Sequence, residues 1–226
     1  MTVSDKIIEH DYSEFVDLGA TEEDTRMPGL VELSMQIVDL PKLDDVLQKT
    51  VDLIVSHLNY CSAVVFLNKP SETRIYATTF TNSDVNRLAN TFLNRSFGSL
   101  YVEYKEENNL IVKSITNLKV IEGPLLSDFI SPVVGEQIAN AMQSMIKAKN
   151  IIVIPIVNVN VCLGALLFAK QDESSFTADY KLLTMFSQQM GTVISKFSSE
   201  GEISQTPDDK ASRIKNPFDS GVTQTP

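Results

Sequence analysis

The side chains able to do chemistry are few and scattered. Two cysteines, Cys61 and Cys162, stand 101 positions apart, which makes neither a disulfide framework nor a C-x-x-C metal knuckle. Both fall in apolar, strand-like runs, where a thiol behaves as a small buried hydrophobe and reacts poorly. The two histidines, His10 and His57, lie in an acidic N-terminal stretch and near the end of an amphipathic helix. His57 therefore reads as a surface or partly buried side chain, and no metal site is expected. Asp44-Asp45, Glu106-Glu107 and Asp208-Asp209 are sequence neighbours that point in different directions and read as solvated charges. Nothing matches G-x-x-x-x-G-K-S/T, G-x-G-x-x-G, G-x-S-x-G or H-E-x-x-H, and just nine glycines are spread along the chain. No phosphate cradle and no catalytic residue is expected, so the chain does not read as an enzyme.

The elements that would position any site are clearer. Residues 151–157 (IIVIPIV) and 161–170 (VCLGALLFAK) are strongly apolar strands, and Asn158-Val159-Asn160 suits a tight hairpin because Asn tolerates positive φ. Downstream, Leu182, Leu183, Phe186, Met190, Val193, Ile194 and Phe197 recur at helical spacing on one face of a closing helix about twenty residues long. Upstream, residues 30–40 predict a short helix stopped by Pro41, and residues 42–58 a second, with Asp44 and Asp45 near its positive end. Residues 62–68 and 74–80 are β-branched and aromatic-rich and predict a hairpin. A helix is expected over 82–93, short strands at 100–104 and 110–113, and irregular chain over 123–135, broken by Gly123-Pro124, Pro132 and Gly135. A further helix follows over about 136–148. This order predicts an α+β fold, an antiparallel sheet covered by helices.

The formal charge of −10 belongs mostly to the ends. Residues 1–26 carry −6, residues 198–226 carry −2, and the body from 27 to 197 only −2. A nearly neutral body offers no basic stripe, so neither nucleic acid nor an anionic membrane is expected as partner. No run approaches the length needed to span a bilayer and the N-terminus lacks a signal pattern, which predicts a cytoplasmic protein. Residues 1–26 read as a flexible or loosely docked arm and 198–226 as a disordered polar tail. In that tail Asn216-Pro217-Phe218, Thr206-Pro207 and Thr225-Pro226 match short docking or phosphorylation patterns that recur by chance.

From about Leu30 to Phe197 the sequence resembles a GAF domain, a small-molecule-sensing module related to PAS domains. The resemblance rests on LDDVLQKTVDLIVSHLNYCSAVVFLN, NLIVKSITNLKVIEGPLLSD, IIVIPIVNVNVCLGALLFAK and the closing SFTADYKLLTMFSQQMGTVIS, in that order. It implies a central antiparallel sheet of about six strands with helices on both faces. A ligand cavity would lie on one face beneath the middle helices and loop, with terminal helices that commonly dimerise on the other. Gly164 coincides with the family's glycine in the last strand, Thr177 would cap the closing helix, Asp179 would sit in its first turn, and Phe176 would staple it. The set of residues that marks cyclic-nucleotide sites is absent, and the cysteines and histidines do not suit a bilin. No cofactor is therefore assigned.

The function expected is a non-enzymatic sensory or regulatory domain that binds a small molecule of unassigned identity and signals through a helical dimer interface. A homodimer is expected, with output passed to a separate signalling protein. The pocket wall is expected from Phe66, Thr78, Phe80, Asp128 and Phe129, with Asp128 as polar anchor. One alternative is a ligand-free GAF fold serving as a dimerisation or protein-interaction module, its partner face formed by residues 30–40 and 177–197. A lesser one is an enzyme resembling free methionine sulfoxide reductases, which would need Cys61 and Cys162 to act together.

Overall fold

A computed structural model describes residues 7–16, 40–69, 72, 74–80 and 100–199. The helix expected at 30–40, apart from Leu40, the helix expected at 82–93, and the tail from 200 onward lie outside the described residues. Seven strands form one sheet: β1 (Ile8–Asp11), β2 (Ser62–Lys69), β3 (Arg74–Phe80), β4 (Tyr101–Glu103), β5 (Lys119–Gly123), β6 (Asn150–Asn158) and β7 (Val161–Lys170). Their order is β1-β5-β6-β7-β2-β3-β4, and every neighbouring pair is antiparallel. The fold class is the expected α+β; the strand expected at 110–113 is helical, and β1 and β5 stand in the sheet where no strand was expected.

Strand β1 corrects the reading of the N-terminal stretch as a loosely docked arm. Ile8 to Asp11 pair with Glu122 to Lys119, and Lys119 Nζ lies 2.8 Å from Asp11. Four residues are too few to display a period, so only the exposed edge of β5 reveals the strand.

Six helices are described: α1 (Ser13–Val16), α2 (Leu43–Leu58), α3 (Leu110–Asn117), α4 (Leu126–Ile130), α5 (Glu136–Ile146) and α6 (Tyr180–Ser199). Side chains alternate across a strand, so the sheet has two different apolar faces. Ala63, Val65, Ile152, Ile154, Leu166 and Phe168 pack with α2 and α6. Val64, Phe66, Ile151, Val153, Leu167 and Ala169 pack with α3, α4 and α5.

Residues 110–113, expected as a strand, begin α3. Asn109 accepts from the amides of Ile111 (2.9 Å) and Val112 (3.1 Å), capping the helix. The short apolar run Leu110-Ile111-Val112 fits either element, and the cap decides it. Within the stretch expected to be irregular, α4 forms one turn between its Gly-Pro and Ser-Pro breaks.

Two glycines admit close approach. A Cβ on Gly164 would collide with the Phe66 carbonyl across the sheet, and one on Gly191 with the Val157 carbonyl, where α6 crosses β6. The β6–β7 turn holds both Val159 (φ 44°) and Asn160 (φ 66°) in the left-handed region, the form that two-residue hairpins favour.

Candidate functional site

Between the sheet and α4–α5 lies an apolar cavity of about 50 Å³. Its floor is built by alternation: Ser62, Val64 and Phe66 of β2 face it beside Leu167 and Ala169 of β7, with Ala77 of β3 alongside. Its roof comes from Leu126 and Ile130 of α4, Val133 and Val134 of the following link, and Met142 and Ile146 of α5, one turn apart on that helix. Leu100, Tyr101 and Val102 close one side.

The roof is held by two amide side chains. Gln143 donates to Pro124 O (2.6 Å) and Ala148 O (3.2 Å), and accepts from Leu126 N (2.8 Å), fastening α5 to the start of α4. Asn109, besides capping α3, donates to Phe129 O (2.5 Å) and Ser131 O (2.7 Å), fastening α3 to the end of α4. A larger concavity of about 530 Å³ lies by α1, the β6–β7 turn and α6, but it is an open groove lined by mixed polar and apolar side chains.

Of the five residues expected to form the pocket wall, Phe66 lines the cavity. Phe129 is fully buried in the core behind it, against Gly123, and is not a lining residue. Asp128, the expected polar anchor, is half-buried on α4 outside the lining, and burial followed by nearby Glu136 raises its pKa. Thr78 and Phe80 belong to β3, but their side chains lie outside the described residues. Ser62, Met142 and Ile146 line the cavity and were not among the five. Their signals were present, as an i, i+2, i+4 set in β2 and an i, i+4 pair in α5, but periodicity does not say which helix covers which face.

On the opposite face, a buried polar cluster fixes the start of α6. Alternation places Glu122, Asn150 and Lys170 on the α6 side at the ends of β5, β6 and β7. Glu122 is 3% exposed and accepts from Asn150 Nδ2 (2.6 Å), Ser175 Oγ (3.1 Å), Phe176 N (3.0 Å) and Tyr180 OH (2.8 Å). Burial, and then the Glu122 contact, raises the Tyr180 pKa well above its ordinary value. Lys170 Nζ lies 3.1 Å from the Asp179 carboxylate, which also accepts from Tyr60 OH at 2.8 Å. The same ammonium sits 4.3 Å from the centre of the Phe176 ring. Thr177 is therefore not the cap. Asp179 directly precedes the first helical residue, its carbonyl accepts from Leu183 N (2.9 Å), and its side chain is committed to Lys170. Phe176, expected as a staple, is fully buried against Tyr60.

The cysteines and histidines do not converge. Cys61 N bonds Ala169 O, whereas Cys162 lies seven residues further along β7. At about 3.3 Å per residue that is roughly 23 Å, far beyond the ~7 Å a disulfide spans. Burial pushes both thiols up to about 11. His57 is exposed, with Nδ1 2.9 Å from Leu53 O, while His10 packs edge-on against Phe15 and Tyr180. Among the described residues no group of three or more His, Cys, Asp or Glu side chains is placed to hold a metal, and no helix is long and apolar enough to cross a membrane.

No protein-family model and no curated protein matches the sequence. Solved structures do match the fold. The GAF domain of a phosphoenolpyruvate-protein phosphotransferase from Coxiella burnetii aligns with a TM-score of 0.61 at 14% identity, over 78% of this chain and 96% of that one. The corresponding Acinetobacter domain gives 0.59 at 13%, over 79% and 98%. The free methionine-R-sulfoxide reductase of Neisseria meningitidis, solved with its substrate, gives 0.57 at 9%, over 77% and 91%. A continuous antiparallel sheet between two helical layers, aligned with these domains over nearly their whole length, gives this chain the GAF fold.

Proposed function

We propose that the chain is a non-enzymatic sensory or regulatory domain in which a small molecule enters the cavity beneath α4 and α5 and the output leaves through α6. The observation that carries this is the apolar cavity, roofed by helices that Gln143 and Asn109 tie together. Output through α6 is supported by its position. Its start is fastened to the ends of β5, β6 and β7, and β7 also supplies the cavity floor through Leu167 and Ala169. The receiver is a second copy of the chain or a separate signalling protein. Reduction by paired thiols is disfavoured by the separation of Cys61 from Cys162 and by the burial that keeps both protonated near neutrality.

One observation favours a second reading. Small-molecule sites usually span about 300–1,000 Å³, whereas this cavity holds about 50 Å³. A GAF fold that keeps its core filled and serves for dimerisation or protein interaction is consistent with that size. A thermal-shift screen of metabolites, with native mass spectrometry of protein from its own host, separates the two. A ligand at about 100-fold excess over its Kd contributes about 2.7 kcal/mol and raises the melting temperature. No hit, together with a melt that depends on protein concentration, favours the interaction module.

A further inference from the structure

We infer that the groove between α1, the β6–β7 turn and α6 is a docking site for residues 210–218 (KASRIKNPF) of the chain's own C-terminal stretch. The groove lies where the sheet runs out. β5 pairs with β6 only from Ile151 to Val153, while β6 continues to Asn158, so among the described residues its last part has no strand on that side. Val16, Leu118 and Val159 line the gap at 41%, 37% and 85% exposure. Val159 is β-branched and held at φ 44°, a conformation that Asn or Gly adopts far more easily. Strain of this kind marks functional positions, and so exposed an apolar side chain gains stability only when a partner covers it.

Charge selects the occupant. Asp11 is the one charged side chain in the described lining. Its hydrogen bond, followed by the nearby Glu9 and Glu14, raises the pKa of Lys119, which sets three carboxylates around one ammonium at the α1 end. Residues 200–226 hold five acids and three bases, and the bases, Lys210, Arg213 and Lys215, fall within six positions that contain no acid. Ile214 and Phe218 add apolar side chains to the same segment. The stretch that follows Val16, residues 17–26, carries four acids and one base and would meet this rim with like charge; a second copy would set two acidic rims against each other. Reach is sufficient. α6 ends at Ser199, one turn beyond Ser195, whose hydroxyl accepts from Asn158 Nδ2 at 2.6 Å on the groove's border. Residues 200–209 lead from there to Lys210 and extend up to about 35 Å, enough to turn back along the helix. A tether of this length holds the segment at an effective concentration on the order of millimolar, so a weak contact suffices. The inference does not depend on what enters the cavity beneath α4 and α5. It bears on output, because Gln188 and Thr192 of α6 line the groove and a docked segment covers them.

The test compares methyl-labelled samples of the whole 226-residue chain. The double variants Ile214→Ser, Phe218→Ser and Arg213→Glu, Lys215→Glu are each expected to shift the methyl resonances of Val16, Leu118 and Val159 and to leave those of Met142 and Ile146 in place. A nitroxide at Ser220→Cys, in a Cys61→Ser, Cys162→Ser background, is expected to broaden the Val16 and Leu118 methyls. Val159→Asn, which suits the positive φ of the turn, and salt at about 0.5 M should each reduce that broadening about three-fold or more. The shift comparison needs no cysteine replacement, so it decides the matter should that background fail to fold. Unchanged Val16, Leu118 and Val159 methyls in both double variants, or broadening centred elsewhere, overturn the groove as the docking site. Broadening that survives both Val159→Asn and salt overturns the recognition proposed. Broadening in a mixture of isotope-labelled and spin-labelled copies places the segment of one copy on another and overturns docking within the chain.

Discussion

Replacing Glu122 by alanine isolates what holds the closing helix to the sheet. The carboxyl group accepts four hydrogen bonds, and one of its donors has nowhere else to turn: the amide of Phe176, a residue with no exposed surface. Asn150 keeps a second acceptor in Ser174 O at 2.9 Å, Ser175 Oγ keeps Thr177 Oγ1 at 2.7 Å, and the Tyr180 hydroxyl keeps the side chains of Ser175 and Thr177. Orphaning a buried donor costs about 1–3 kcal/mol. The weakened Tyr180 contact adds to that and the relieved desolvation of a buried acid offsets it, so the expected net loss is about 1–3 kcal/mol. For a chain of this size that corresponds to a fall in melting temperature of roughly 2–12 °C. Urea unfolding gives the magnitude, and native-state hydrogen exchange gives the location. Protection should fall first over residues 171–183, while amides of α5 and the cavity floor keep theirs. The reasoning is refuted if the unfolding free energy changes by less than about 0.5 kcal/mol, or if protection is lost evenly across the sheet.

Gly191→Ala should destabilise by about 1–3 kcal/mol even though alanine is the better helix former, because its methyl group would press α6 away from the Val157 carbonyl; a more stable variant in urea melts would contradict this close approach. Cys61 and Cys162 should alkylate slowly in the native protein at neutral pH. With folded pKa values raised from 9.0 to about 11, they contribute stability that is complete below pH 9 and lost as pH rises to 11. The decline in urea midpoint over that window should therefore be steeper in the parent than in a Cys61→Ser, Cys162→Ser variant, and identical slopes would sink the assignment.

Where sequence and structure agree, a repeated spacing carried the information. The β2–β3 and β6–β7 pairs, α2, α5 and α6 each repeat their period often enough to be read without coordinates. Single side chains with distant partners account for the corrections. Asn109 turned an apparent strand into α3, and Lys170 drew Asp179 away from the role expected of it in the first turn of α6. Phe66 lines the cavity and Asp128 lies outside its lining, a difference that the sequence does not carry. Whether a carboxylate faces a cavity or its rim depends on how α4 is rotated between Gln143 and Asn109.

The sequence by itself determined the α+β class and the main helices and hairpins, because each is a matter of local period. Tertiary structure alone decided that the N-terminus adds an edge strand, that the two cysteines stand at opposite ends of a ladder, that Ser62 opens into a cavity, and that Glu122 and Lys170 anchor the closing helix. Each of these is a contact between residues far apart along the chain, and such contacts are fixed by the packing of layers, which no local spacing encodes.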